Sequence, residues 1–216
     1  MIQVICFRFH QYNENTFLVF DQTKECVIID PGCYSSSEKD ELTSYIGALN
    51  LKPKYILNTH CHIDHVFGNA FLMNYFQVPL SIPAAEGHFL EAMPKFASRF
   101  GFAFEPVTKG WTGLKEGDKV CFGTTQLQVI STPGHSPDSM SFYDEHSGTL
   151  FGGDVLFRNR IGRVDLPGGD YETLCKSINN KLFALDNKTI VYSGHGVSTQ
   201  IGYERKTSRF LCWTKN

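Results

Sequence analysis

Thr59-His60-Cys61-His62-Ile63-Asp64-His65 places three histidines and an aspartate within six positions. The run directly follows Tyr55-Ile56-Leu57, which reads as a short buried strand. A strand end holds the following loop still, and imidazole and carboxylate together are donors suited to Zn²⁺ or Fe²⁺. Read alone, the run is also compatible with a surface cluster of histidines. Three further stretches argue against that. His135 sits in Ser131-Thr132-Pro133-Gly134-His135-Ser136, after an alternating strand ending at Ile130. Asp154 follows Leu150-Phe151-Gly152-Gly153, whose glycines admit close backbone approach. His195 lies in Ser193-Gly194-His195-Gly196, again just past a strand. Each is a strand-end loop pinned by Gly or Pro, the kind of loop on which rigid scaffolds carry their sites. Five of the eight histidines fall in these loops.

Outward from them, the chain reads as strands followed by alternating helix and strand. Residues 2–9, 16–20 and 25–29 are short, β-branched and aromatic-rich, with polar turns such as Asp21-Gln22-Thr23-Lys24 between them. Residues 36–49 predict a helix, with serines 35–37 as N-caps and Leu42, Ile46 and Leu49 on one face. A second helix is expected over 66–77, stopped by Pro79. Strands follow at about 119–122, 125–131, 140–144 and 149–152, a helix near 171–184 and a last strand at 189–192. Strand-rich and helical stretches in both halves predict two sheets packed face to face with helices outside, a layered α/β sandwich in one domain spanning 1–216.

Composition narrows the function. Hydrophobic residues make up 42% of the 216 and charged ones 19%, which excludes a disordered chain. A net charge of −2 provides no field favouring nucleic acid or an anionic membrane. No apolar run approaches a transmembrane length, and the N-terminus lacks the pattern of a signal peptide, so a cytoplasmic location is expected. Seven scattered cysteines without a Cys-x-x-Cys pair read as ordinary thiols in a reducing compartment.

The His-x-His-x-Asp-His run, the Thr-Pro-Gly-His, the Gly-Asp and the Gly-His-Gly, in that order, resemble the metallo-β-lactamase superfamily. The resemblance extends from Ile29-Asp30-Pro31-Gly32 to Ile201–Thr207, and Ile161–Asp170 is similar to the small glyoxalase II-like hydrolases. It implies an αββα four-layer sandwich of two mixed sheets, with metals at one rim. It further implies that His60, His62 and His135 hold one divalent cation and Asp64, His65 and His195 a second, with Asp154 bridging. The expected ions are two Zn²⁺, with iron or manganese as alternatives.

Two cations about 3.5–4 Å apart share a hydroxide and polarise a carbonyl, and metal coordination brings the pKa of water down towards ~7. Asp64 and Asp154 are the expected catalytic carboxylates, fixing that hydroxide and receiving its proton. A thiolate, whose parent thiol has a pKa near ~8.5, leaves without a general acid, so the site suits a thioester better than an amide, and the resemblance implies a small-molecule thioester of the S-2-hydroxyacylglutathione kind. The alternative is a mononuclear iron persulfide dioxygenase, in which the counterparts of His60, His135 and Asp154 form a two-His-one-carboxylate triad.

The resemblance is incomplete. Only about 20 residues follow His195, so a chain without the C-terminal helical domain of larger glyoxalase II enzymes is expected. Arg163 matches their basic residue, but Asp165 stands where they have Tyr. Arg163 reads either as a clamp for a substrate carboxylate or as a salt-bridge partner of Asp165 or Asp170. The Phe-rich stretch 83–110 reads either as an apolar wall over the metals or as a helical insertion that Pro94 would interrupt. Arg158 and Arg160 read as lining the mouth or as part of a solvated loop. Cys61 is expected to pack behind its loop, Arg205 and Lys206 to be structural, and His10, His88 and His146 to carry no role.

Overall fold

The computed structural model describes residues 1–105, 107 and 110–207. Its first sheet runs in the order β1 (Gln3–Phe9), β2 (Glu14–Phe20), β3 (Glu25–Ile29), β4 (Lys52–Leu57), β5 (Leu80–Pro83) and β6 (Trp111–Leu114). The first three strands are antiparallel neighbours, and β3 to β6 run parallel. Three helices belong with it: α1 (Ser36–Ala48), the single turn α2 (Ile63–Val66) and α3 (Asn69–Phe76). A fourth, α4 (Gly87–Arg99), follows β5.

The second sheet contains β7 (Lys119–Phe122), β8 (Thr125–Ser131), β9 (Met140–Asp144) and β10 (Thr149–Gly153). A small hairpin follows, β11 (Leu156–Phe157) with β12 (Arg160–Ile161), and then α5 (Tyr171–Asn180). Two more strands, β13 (Ile190–Ser193) and β14 (Thr199–Gln200), and α6 (Ile201–Thr207) complete the described chain. The sheet order is β14-β13-β10-β9-β8-β7, with only β10 and β13 parallel.

Strand alternation builds the layers, because successive side chains point to opposite faces of a sheet. In β2, Phe17 and Val19 enter the core between the sheets, while Leu18 and Phe20 enter the core under the outer helices. In β3, Val27 and Ile29 face inward and Cys26 and Ile28 outward. On the second sheet Phe151 joins the inter-sheet core and Leu150 the outer one, with Leu174 and Ile178 of α5. Both faces of both sheets are therefore buried, which gives the expected αββα order. Each fully buried Leu, Ile or Phe contributes roughly 1.5–3 kcal/mol of transfer free energy.

Local signals account for most boundaries. Ser35 caps α1 by accepting the Glu38 N–H, and the Glu38 carboxylate returns to the Ser35 N–H at 2.8 Å. The helix expected over 66–77 is instead two pieces, because Gly68 donates to the Pro31 carbonyl at 2.8 Å and turns the chain there. It ends at Gln77 in a left-handed conformation (φ 54°), ahead of Pro79. Pro94 does not interrupt α4: the helix runs through it, with Leu90, Met93 and Ala97 buried on one face. Tertiary burial there outweighs the missing hydrogen bond. The helix expected over 171–184 ends at Asn180, followed by a short 3₁₀ turn. Cys6, Cys26, Cys33, Cys61 and Cys121 are free thiols, as expected; Cys212 lies outside the described residues. No helix among the described residues is long and apolar enough to cross a membrane.

Candidate metal centre

Strand direction collects the donors. β3, β4, β8, β10 and β13 all end at one rim, and Asp30, the 59–65 loop, His135, Asp154 and His195 follow those ends. Hydrogen bonds lock the two sheets together there. The Met140 N–H donates to the Thr59 carbonyl at 2.8 Å, and the Asn15 N–H to the Gly194 carbonyl at 2.7 Å. The Asn15 side chain donates to the Ser193 and Gly196 carbonyls, each at 2.9 Å.

All seven side chains singled out in the sequence converge. His60, His62 and His135 present ligand atoms within 4.8 Å of one another, as do Asp64, His65 and His195. Asp154 lies between the two groups: Oδ2 is 3.6 Å from His135 Nε2 and 3.5 Å from His195 Nε2, and Oδ1 is 3.6 Å from His65 Nε2. Asp64 Oδ2 is 3.3 Å from His195 Nε2.

The surroundings choose which ring nitrogen faces inward. Nδ1 of His135 lies 2.8 Å from the Arg163 carbonyl, and Nδ1 of His195 lies 3.0 Å from the Tyr12 carbonyl. A carbonyl accepts only from N–H, so both rings carry the proton on Nδ1 and present Nε2 to the cluster. Nδ1 of His60 meets the Thr59 hydroxyl at 3.0 Å and that of His65 meets Asp30 at 3.1 Å. Among the described residues, Nε2 of His60, both ring nitrogens of His65 and Oδ1 of Asp154 are buried without a hydrogen-bond partner. Buried polar atoms are rarely left so, and lone pairs converging in this way fit bound cations.

Electrostatics divide the donors. Burial pushes the His60 imidazole well below its ordinary range, and the other imidazoles push it further. Burial and His135 bring His62 down to about 4, and burial lowers His135. These three rings are neutral near pH 7, the form that binds a metal. Burial also opposes charging His65, but Asp64, Asp154 and Asp30 outweigh it and raise the ring well above its ordinary value. His195 follows the same pattern, with Asp64 and Asp154 outweighing burial. Burial works to raise Asp64, yet His65 and the hydrogen bond from His195 hold it well below the usual carboxylate range.

Three contributors carry no flag in the sequence reading. Asp30 accepts the Thr59 N–H at 2.7 Å and the Thr59 hydroxyl at 2.6 Å besides meeting His65. In the sequence, only its place in the Ile29-Asp30-Pro31-Gly32 stretch of the resemblance pointed to it; its backbone is left-handed (φ 49°). Glu86 accepts the Cys61 N–H at 2.6 Å, the Ser136 hydroxyl, and the Asp138 N–H at 3.2 Å, tying two donor loops together. Tyr12 acts through its carbonyl, which no side-chain pattern reveals.

Arg163 takes the salt-bridge reading: Nε and Nη2 donate to the two Asp165 oxygens, each at 2.7 Å, on the surface. Asp170 instead caps α5 by accepting the Thr173 N–H at 2.8 Å. Cys61 is buried behind its loop, as expected. Arg158 lies over the Tyr203 ring and Arg160 over the Phe157 ring. His10 packs edge-on against Phe67, and His88 lies against Phe89, both outside the two donor groups. A cleft of about 670 Å³ opens over the donors, and one of its walls is Phe89, Met93, Phe96, Phe100 and Phe102. The stretch 83–110 is thus both a helix and an apolar wall; residues 106, 108 and 109 within it lie outside the described set.

Comparison with known proteins agrees with this geometry. The chain is 37% identical over 205 residues to a protein of Haemophilus influenzae named hydroxyacylglutathione hydrolase GloC, covering 93% of each. It superposes on the crystal structure of BLEG-1 B3 metallo-beta-lactamase with a TM-score of 0.88 and 35% identity, covering 98% of this chain and 99% of that one. ETHE1 from Myxococcus xanthus is similar at a TM-score of 0.78 and 26% identity, covering 97% and 84%. The Metallo-beta-lactamase superfamily profile matches residues 11–195, the span that runs from the Tyr12 turn to the last histidine of the cluster. On its layered fold, the rim on which its donors meet and this match, the chain belongs to the metallo-beta-lactamase superfamily.

Proposed function

We propose that this protein is a dinuclear metal-dependent hydrolase of thioesters, of the glyoxalase II type. The observation that carries the reading is the convergence of seven donors in two groups around Asp154, with Nε2 of His60 and His65 and Oδ1 of Asp154 unpartnered. His60, His62 and His135 would hold one cation and Asp64, His65 and His195 the other, with Asp154 between them. When bound, the metals supply a water activated at neutral pH and an electrophile for the carbonyl oxygen. Zinc is the proposed ion, since imidazole and carboxylate suit it.

The chain's own groups do the rest. Asp64 is ionised, so it accepts a hydrogen bond from the attacking water and orients it. Tyr12 and Arg163, through their carbonyls, keep His195 and His135 in one tautomer. Attack at the acyl carbon breaks the C–S bond, giving a carboxylate and a thiolate. The thiolate needs no general acid, and the five clustered histidines are already committed as donors, which disfavours an amide substrate. Similarity to a protein named hydroxyacylglutathione hydrolase supports the same reading.

The test is hydrolysis of S-lactoylglutathione by protein of known metal content, beside His60→Ala. Turnover by the parent at two metal equivalents, with a loss of at least 10²-fold in the variant, is expected. Equal rates would remove the thioesterase reading. Similarity to ETHE1 keeps a second reading, the mononuclear iron dioxygenase, in view. One iron per chain and oxygen consumption on glutathione persulfide would select it instead.

A further inference from the structure

The cleft over the donors has an asymmetric lining. Phe89, Ala92, Met93, Phe96, Phe100 and Phe102 form one continuous segment of it. Outside the metal-ligand set, the side chains there that can hydrogen-bond are Tyr12, Arg160 and Arg163. Arg163 is engaged by Asp165 through both of its donor positions. Arg160 lies over the Phe157 ring, 4.9 Å from its centroid, and among the described residues has no ion-pair partner.

The wall is not simply core. Leu90 and Ala97 of α4 are fully buried, but Phe96 is 37% and Phe100 59% exposed, their rings 5.0 Å apart at the cleft. Large aromatic rings left in water beside a site mark a binding surface. The wall is continuous with the reactive end, since His62, Ile63 and Asp64 line the same cleft. A site that selects a hydroxyacyl group needs hydrogen-bonding side chains around the acyl pocket, because an apolar pocket discriminates weakly for or against a hydroxyl. This wall has none.

We infer that the acyl group received here is an apolar chain of several carbons lying along the Phe96–Phe100 wall, and that Arg160 receives an anionic group on the thiol-carrier arm. This rests on the thioesterase reading for the reaction and on the cleft lining for the specificity.

Binding and turnover separate the two. S-alkylglutathiones from methyl to octyl have no acyl carbonyl and are not hydrolysed, so their dissociation constants on the metal-loaded protein report the cleft alone. Affinity is expected to rise about two- to fourfold per methylene until the wall is covered. In the Phe96→Ser, Phe100→Ser double variant, two exposed positions, the gain should fall below about 1.5-fold per methylene. Arg160→Gln should weaken every member by a similar factor, about five- to tenfold, and leave the chain-length slope unchanged. In turnover, S-hexanoylglutathione should exceed S-lactoylglutathione in kcat/KM by at least tenfold.

A flat alkyl series, a slope unaltered in the double variant, or preference for S-lactoylglutathione would each overturn the inference while thioester hydrolysis stands. Failure of the metal-loaded enzyme on every thioester would remove the thioesterase reading and the acyl assignment with it. A flat series, together with conversion of a dimer to a monomer by the double variant, would assign the wall to a second copy of this chain instead.

Discussion

Asp30 faces His65: its Oδ2 lies 3.1 Å from the ring Nδ1, an ion-pair distance, while Oδ1 accepts the Thr59 N–H at 2.7 Å. One carboxylate therefore sets the charge beside a donor ring and anchors the loop that carries the three other donors of the cluster's first run, His60, His62 and Asp64. Groups that orient metal-binding histidines typically govern metal affinity by 10–100-fold. Asp30→Asn keeps the shape but loses the charge beside His65, so metal affinity should drop within that range, measured by competition with a chromophoric chelator. An unchanged affinity in a folded variant would remove the assigned role.

Metal loading should also stabilise the fold, since cations bind the assembled cluster and not the unfolded chain. At free metal 100-fold above its dissociation constant, the gain is about 2.7 kcal/mol. For a domain of this size that corresponds to roughly 5–10 °C in Tm by calorimetry. His60→Ala and His135→Ala should abolish most of the shift. A Tm indifferent to zinc, iron and manganese would count against any resident cation.

Gly194 has no room for a side chain: a Cβ there would meet Asp154 Oδ1, and His65 Cε1 at 2.7 Å. Gly194→Ala should displace both ligands, leaving one metal equivalent by elemental analysis and reducing turnover at least tenfold. Two equivalents bound with parent-like activity would show that the loop relaxes freely.

The opposite rim supplies a pH-dependent contribution to stability. Asp21 is buried and accepts from the Thr23 N–H at 2.9 Å, the Thr124 N–H at 2.6 Å and the Thr125 hydroxyl at 3.1 Å, joining the β2–β3 turn to the β7–β8 turn. Burial raises its pKa, but the bonds from Thr23 and Thr124 outweigh this and hold it well below the usual range. A depressed folded value means a contribution fully present above the unfolded value near ~3.9 and lost as pH falls below it. Asp21→Asn should therefore destabilise by about 1–3 kcal/mol at pH 7, with the difference shrinking steadily under acid denaturation below about pH 4. A difference independent of pH would show that the charge is not what matters.

Arg163→Ala should have little effect on stability, within about 0.5 kcal/mol by urea unfolding, because its pair with Asp165 is exposed. Its contact with His135 is through a backbone carbonyl, which the substitution retains. A larger loss, or a tenfold rise in KM for S-lactoylglutathione, would restore the substrate-clamp reading of the side chain.

Much was legible in the sequence because the relevant signals are local. Donor-rich loops at strand ends named all seven side chains that converge, and strand-rich and helical stretches in both halves announced two sheets with helices outside. What escaped had no local signature. β5, β6 and the β11–β12 hairpin are too short for periodicity to stand out, and α4 passes through a proline on the strength of burial by residues distant in sequence. Glu86 looks like any acidic residue at a helix start until its carboxylate is found on the Cys61 N–H and the Ser136 hydroxyl.

By itself the sequence determined which side chains can bind a cation and that strands and helices recur in both halves, since residue chemistry and local propensity are properties of a few neighbouring positions. Only the tertiary structure decided that Asp154 lies between two donor groups, that among the described residues Arg163 has an ion-pair partner and Arg160 none, and that phenylalanines of α4 and the segment after it line the cleft over the donors. Those outcomes depend on the stacking of two sheets and the shared direction of their strand ends, which bring distant positions together through packing and hydrogen bonds that no single stretch of chain encodes.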